Sequence, residues 1–140
     1  MTGANKNGNK DRAAARLSKG RLGEDYTAAF LCRHGYEIVS RNYKVRGGEI
    51  DIIARKGGII AFVEVKTRKS SSLVSGFEAV DAVKKQRIIK TAVRYMWEEG
   101  CDLQPRYDIA QVICDKGKIQ KFTYLVAAFD ASEVDFGSVF

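Results

Sequence analysis

One run restricts this chain more than any other: Gly47-Gly48-Glu49-Ile50-Asp51-Ile52-Ile53-Ala54-Arg55, Lys56-Gly57-Gly58, then Ile59-Ile60-Ala61-Phe62-Val63-Glu64-Val65-Lys66-Thr67-Arg68. Two β-branched, apolar segments closed by a glycine pair read as a β-hairpin. With Gly57-Gly58 as a two-residue turn, Lys56 faces Ile59, and counting back along both strands sets Asp51 opposite Glu64. Facing side chains on an antiparallel pair lie about 4.5–5.5 Å apart. Two carboxylates there repel by roughly 3 kcal/mol at an effective dielectric near 20. A divalent cation offsets that repulsion, and Mg²⁺ suits two carboxylates because it retains several waters that a phosphate can replace. Lys66, two residues beyond Glu64, shares its face and is placed to hold a water or a phosphate oxygen.

Bland readings stand beside this one. In the same register Lys66 faces Glu49, an ordinary surface pair. A one-residue slip would carry Asp51 to the face opposite Glu64.

The chain has 140 residues, 45% of them hydrophobic, enough for one domain with a sizeable core. A formal charge of +7 favours a polyanionic partner. No segment approaches the roughly eighteen apolar residues of a membrane span, and the basic N-terminus lacks the apolar stretch of a signal peptide. No membrane association is expected, and the expected compartment is the cytoplasm. Cys32, Cys101 and Cys114 have no C-x-x-C spacing and the chain has one histidine, which argues against zinc and against a Cys/His nucleophile. They read as small, partly buried, reduced side chains.

Residues 1–17, rich in Asn, Gly, Lys and Ala, predict a flexible basic tail; residues 18–140 form the domain. A helix from about Ser18 ends at Gly35, and on it Glu24 shares a stripe with Ala28 and Leu31. Glu24 thus points inward or along the core rim, or is a first-turn acid favoured by the helix dipole. His34 at the helix end reads as structural. A strand over Tyr36–Lys44 follows, and Arg41, Lys44 and Arg46 make a basic approach to the hairpin. Beyond Arg68, Lys69–Gly76 is a polar loop with the composition of a mobile cover. Asp81 caps a helix to Glu99, stopped by Gly100, with Val83, Ile88, Ala92, Tyr95 and Met96 as its core face. Its other side carries Lys84, Lys85, Arg87, Lys90 and Arg94, which either track phosphates or form a solvated face. Pro105 opens a second hairpin over Arg106–Cys114 and Ile119–Val126. There Asp108 pairs with Arg106 and stays outside the site. The final residues, Asp130–Phe140, show no period.

Helix, three strands, helix and hairpin make an α/β domain in the order α-β-β-β-α-β-β. With an acid and then E-x-K on its second and third strands, it resembles the PD-(D/E)XK nuclease superfamily of restriction endonucleases and Holliday junction resolvases. More narrowly, five pieces in order resemble the YraN-like family of uncharacterised bacterial proteins: Gly20-x-x-Gly23-Glu24, Gly35-Tyr36, Arg41-Asn42-Tyr43, Gly48-Glu49-Ile50-Asp51 and Phe62-Val63-Glu64-Val65-Lys66-x-Arg68. The resemblance spans about Ser18 to Phe129. It implies a restriction endonuclease-like mixed central sheet flanked by helices. It further implies Mg²⁺ or Mn²⁺ on Asp51 and Glu64, Lys66 orienting the attacking water, and Glu24 as the additional first-helix acid of resolvase-like members. Ile50 stands where the superfamily's eponymous proline would be, a variation that removes no ligand.

The expected activity is metal-dependent hydrolysis of DNA, rather than RNA, with branched or junction DNA as candidate substrates. Arg41, Lys44, Arg46, Arg68, Lys84, Arg87 and Lys90 are the expected backbone contacts. Cutting both strands of a junction would call for two active sites, which a homodimer supplies. The alternative is a nucleic-acid-binding accessory module that retains the fold without cleaving.

Overall fold

A computed structural model describes residues 6–70 and 81–133, with side chains described for 20–70 and 81–132. Helix α1 (Lys6–Arg33) leads into β1 (Glu37–Val45), β2 (Gly48–Lys56) and β3 (Ile59–Lys69). Helix α2 (Ala82–Glu99), β4 (Gln104–Asp115), β5 (Lys118–Phe129) and a short 3-10 turn (Ala131–Glu133) follow. The five strands form one sheet in the order β1-β2-β3-β4-β5. β3 and β4 are parallel and every other neighbouring pair is antiparallel. Parallel neighbours need a crossover, and α2 provides it.

The alternation of β3 shows why its first five residues, Ile59–Val63, are all apolar. Ile60 and Phe62 face α2 in a core with Ile50, Ile53, Ile88, Ile89, Ala92 and Tyr95. Ala61 and Val63 face α1 in a second core with Leu31, Ile52, Ala54 and Ala110. A strand covered on both faces has no solvent side to make polar. The three-layer α/β arrangement with its α-β-β-β-α-β-β order agrees with the expected restriction endonuclease-like fold.

Both ends of α2 form as its sequence predicts. Asp81 accepts the Lys84 N–H at 2.8 Å, and Gly100 takes the left-handed conformation at φ 60°. Val83 departs from expectation, being 57% exposed rather than in the core; the first turn overhangs an open cavity instead of the sheet. Helical backbone in α1 begins at Lys6, earlier than Ser18. The Lys, Arg and Ala residues of that stretch are good helix formers, and a shortage of large apolar residues does not oppose helix. Residues 1–5 of the expected flexible tail, 71–76 of the expected covering loop, and 77–80 and 134–140 lie outside the described residues.

Two glycines let the helices sit close to the sheet. A Cβ on Gly23 of α1 would lie 2.3 Å from Thr67 Oγ1 of β3. One on Gly48 of β2 would lie 1.9 Å from Thr91 Oγ1 and 3.4 Å from the Arg87 carbonyl of α2. Gly48→Ala is therefore expected to destabilise by about 1–3 kcal/mol through overpacking, read as a lower denaturation midpoint in urea. An unchanged midpoint would contradict this close approach.

Candidate active site

The hairpin has the predicted register. Lys56 pairs with Ile59, and the ladder continues to Ile52 with Val63. It stops there, one step before Asp51 and Glu64. The Val65 N–H donates to Asp51 Oδ2 at 2.7 Å, so a side-chain carboxylate replaces a main-chain acceptor where the two strands part. Asp51 and Glu64 both open onto one cavity of about 800 Å³ at the α2 side of the sheet. Glu49 and Asp81 also line it, and Lys44, Lys84 and Arg87 supply cationic walls.

The electrostatics follow from this crowding of acids. Burial first, and then the neighbouring Glu64 charge, push the Asp51 carboxyl up to about 7, against the opposing Val65 N–H. Glu24 and Glu49 raise it further. Glu64 is only 7% exposed, and its Oε1 is ion-paired with Lys84 Nζ. For Lys84, burial works against the charge, but the hydrogen bond and charge of Glu64, with Asp51 and Asp81 behind them, outweigh it and the pKa is raised.

With Asp51 at about 7 in the folded chain against its ordinary 3.8, the folded state retains a proton that the unfolded state has released between those values. Stability therefore falls as pH rises through that window, and the loss is complete above it. Melting temperatures of wild type and Asp51→Asn, measured from about pH 4 to pH 8 without metal, are expected to diverge, with wild type losing ground as pH rises. Parallel profiles would contradict the raised carboxyl.

The remaining predicted residues are placed as follows. Lys66 lies two residues along β3 from Glu64, half-buried and level with Gln111 of β4. The expected facing of Lys66 and Glu49 does not occur as a ladder pair, because the β2–β3 ladder has ended; Glu49 lies across β1–β2 from Lys44, with their charged ends 3.9 Å apart. Glu24, expected as a metal ligand, accepts from Asn42 Nδ2 at 3.2 Å and lies 3.7 Å from Arg41. Among the described residues no three Asp, Glu, His or Cys side chains form a group able to hold a metal. Glu24 thus influences Asp51 through its charge while Arg41 and Asn42 engage its carboxylate.

Of the expected phosphate contacts, Lys44, Lys84 and Arg87 gather at the cavity. Arg41 is instead held 2.6 Å from Asp25 of α1. Arg46, Arg68 and Lys90 are exposed. Sequence reasoning gave Asp81 only a capping role and missed its place in the cavity wall. It also missed that Lys84 reaches Glu64, although a lysine in the first turn after the E-x-K strand was visible.

Residues excluded in advance stay outside. Asp108 is fully buried beside Arg106 at 2.8 Å. His34 Nδ1 lies 2.8 Å from the Phe30 carbonyl as a helix-end contact. Cys114 is buried and Cys101 partly so, whereas Cys32 is exposed rather than partly buried, being on the solvent side of α1.

A mixed five-stranded sheet between two helices, with paired acids where β2 and β3 part, defines the chain as a restriction endonuclease-like α/β protein. Its sequence matches the profile of the Uncharacterised protein family UPF0102 over residues 23–112. The chain belongs to that family, which is the YraN family of the resemblance above. It is 46% identical over 112 residues to a UPF0102 protein of Dictyoglomus thermophilum, covering 79% of this chain and 95% of the relative. A UPF0102 protein of Alkaliphilus metalliredigens is 45% identical over 113 residues, covering 80% and 97%. One from Syntrophotalea carbinolica is 42% identical over 116 residues, covering 82% and 94%. Among the described residues no helix is long and apolar enough to cross a membrane.

The donor set fits a hard divalent cation. Two carboxylates open to one cavity, with the Glu64 charge opposing ionisation of Asp51, match the one or two protein carboxylates that Mg²⁺ takes. All available donors are oxygens, which suits Mg²⁺ or Mn²⁺ over softer metals.

Proposed function

We propose that the protein is a metal-dependent endonuclease that hydrolyses DNA phosphodiester bonds, with branched or junction DNA as the substrate class to test first. The observation that carries this reading is the convergence of Asp51 and Glu64 on one open cavity walled by Lys44, Lys84 and Arg87. A structural domain has no use for a carboxylate whose ionisation is opposed by burial and by a second acid at a gap in its sheet.

In this reading Asp51 and Glu64 hold Mg²⁺ or Mn²⁺. When bound, the ion supplies a Lewis acid for a nonbridging phosphate oxygen and makes water more acidic. Lys66, on the same face of β3 as Glu64, orients the attacking water and stabilises charge that develops on the phosphate. Lys44 and Arg87 hold the flanking backbone, with Arg46, Arg68 and Lys90 further out. Glu24 acts from α1 by strengthening the negative field at Asp51. A homodimer would bring two such sites to the two strands of a junction.

A second reading, an accessory module that binds nucleic acid without cutting it, draws support from the Lys84–Glu64 ion pair, which neutralises one carboxylate without a metal. One assay separates the two: full-length protein with linear, flapped and four-way DNA, in Mg²⁺, Mn²⁺ or chelator. Cleavage in metal alone is expected. Binding to all three DNAs with no product in any condition would establish the accessory module.

A further inference from the structure

The nuclease reading places Lys84 in the cavity wall but does not use its ion pair with Glu64. Its ammonium pairs with Glu64 and also feels the charges of Asp51 and Asp81. One tethered cation thus sits among three of the acids that line the cavity. The pairing is asymmetric, because the Glu64 side chain is 7% exposed while that of Lys84 is 50% exposed. Glu64 is fixed in a strand within the sheet and cannot follow a departing partner. Lys84 approaches from the solvent side on a flexible four-carbon stem.

The main chain under Lys84 is fixed. Its N–H is held by Asp81 at 2.8 Å, and α2 is anchored by Ile88, Ile89 and Ala92 in the core. Only the side chain need move for the pair to open. A carboxylate this buried is costly to leave without a counter-charge, so a proton or another cation has to take the place of the ammonium when it leaves. An ammonium within hydrogen-bonding reach of Glu64 also fills a position that a cation bound to Glu64 would need.

We infer that Lys84 is a displaceable internal counter-ion: it occupies the Glu64 carboxylate in the metal-free protein, is expelled when a divalent cation binds, and is then available at the cavity rim to meet a phosphate. This rests on the reading of Asp51 and Glu64 as metal ligands. It makes Lys84 a positioning residue that links metal binding to backbone binding, and each should tighten the other. It also accounts for one cationic side chain having both an acidic partner and a place among phosphate-binding residues.

The test uses full-length protein and Mn²⁺ alone, without DNA. Amines are acylated with and without Mn²⁺ and read residue by residue by mass spectrometry, with the exposed turn lysines Lys116 and Lys118 as internal references. Acylation of Lys84 is expected to rise several-fold relative to those references, saturating at the same Mn²⁺ concentration as binding, and to be unresponsive in Asp51→Asn. Lys84→Met, which removes the competitor, is expected to bind Mn²⁺ about tenfold more tightly, a difference of about 1.4 kcal/mol. Mn²⁺ that binds wild type without changing Lys84 acylation overturns the counter-ion role and leaves the metal site standing. Failure of both wild type and Lys84→Met to bind Mn²⁺ overturns both.

Discussion

Asp51→Asn is expected to reduce metal-dependent cleavage by about 10³-fold or more while making the metal-free protein more stable above neutral pH. The first effect follows from removing one of the two anionic ligands proposed for the metal. A metal that supplies several kcal/mol of transition-state stabilisation, at 1.36 kcal/mol per tenfold in rate, takes about three orders of magnitude with it when it is lost. The second follows from the position of Asp51, a half-buried carboxyl beside Glu64 whose ionisation is opposed by burial. Asparagine keeps an oxygen to accept the Val65 N–H, so the strands are not left with an orphaned donor. It also leaves the Lys84–Glu64 pair intact. Rate and stability should therefore move in opposite directions, which simple damage to the fold cannot produce. Cleavage at the wild-type rate by Asp51→Asn would remove Asp51 from the chemistry.

The largest effect on stability is expected at the other face of the sheet. Asp108 is 0% exposed and accepts from Arg106 Nε at 3.0 Å, Tyr124 Oη at 2.6 Å and the Ala127 N–H at 2.8 Å. Arg106 in turn donates to Tyr36 Oη at 2.6 Å, tying β4 to the start of β1. Burial first, and then Asp108, hold the Tyr124 hydroxyl well above the usual phenol range, so it remains a donor. Asp108→Ala leaves a mostly buried guanidinium, a phenol and a backbone N–H without this acceptor. Breaking such a pair from one side costs about 3–5 kcal/mol. Equilibrium denaturation should show that loss; a change below about 1 kcal/mol would mean the network contributes little. Because this network lies on the α1 side, a folded fraction of the variant should still bind metal.

Local signals made much of this architecture legible. The Gly57-Gly58 turn set the hairpin register, and Asp81 and Gly100 set the ends of α2, each through residues within a few positions of one another. The pairing of Arg106 with Asp108 was readable for the same reason, at a spacing of two in a strand. Contacts made only by tertiary packing were not. The ladder ends at Asp51 because its own side chain captures the Val65 N–H, which no periodicity reveals. Glu49 was assigned by counting across β2 and β3, but its partner Lys44 comes from β1. Lys84 lies twenty positions from Glu64 and reaches it only because the crossover helix returns over the sheet. Tyr124 and Ala127 reach Asp108 through a register shift between Tyr107 and Ile109, where Ala127 takes φ 52°.

Calorimetric titration of Mn²⁺ into wild type, Asp51→Asn and Glu64→Gln tests the central claim most directly, since it requires no knowledge of the preferred DNA. The account predicts one divalent ion bound per chain by wild type and loss of that binding in both variants. Absence of binding by wild type, or equal binding by all three, would contradict it.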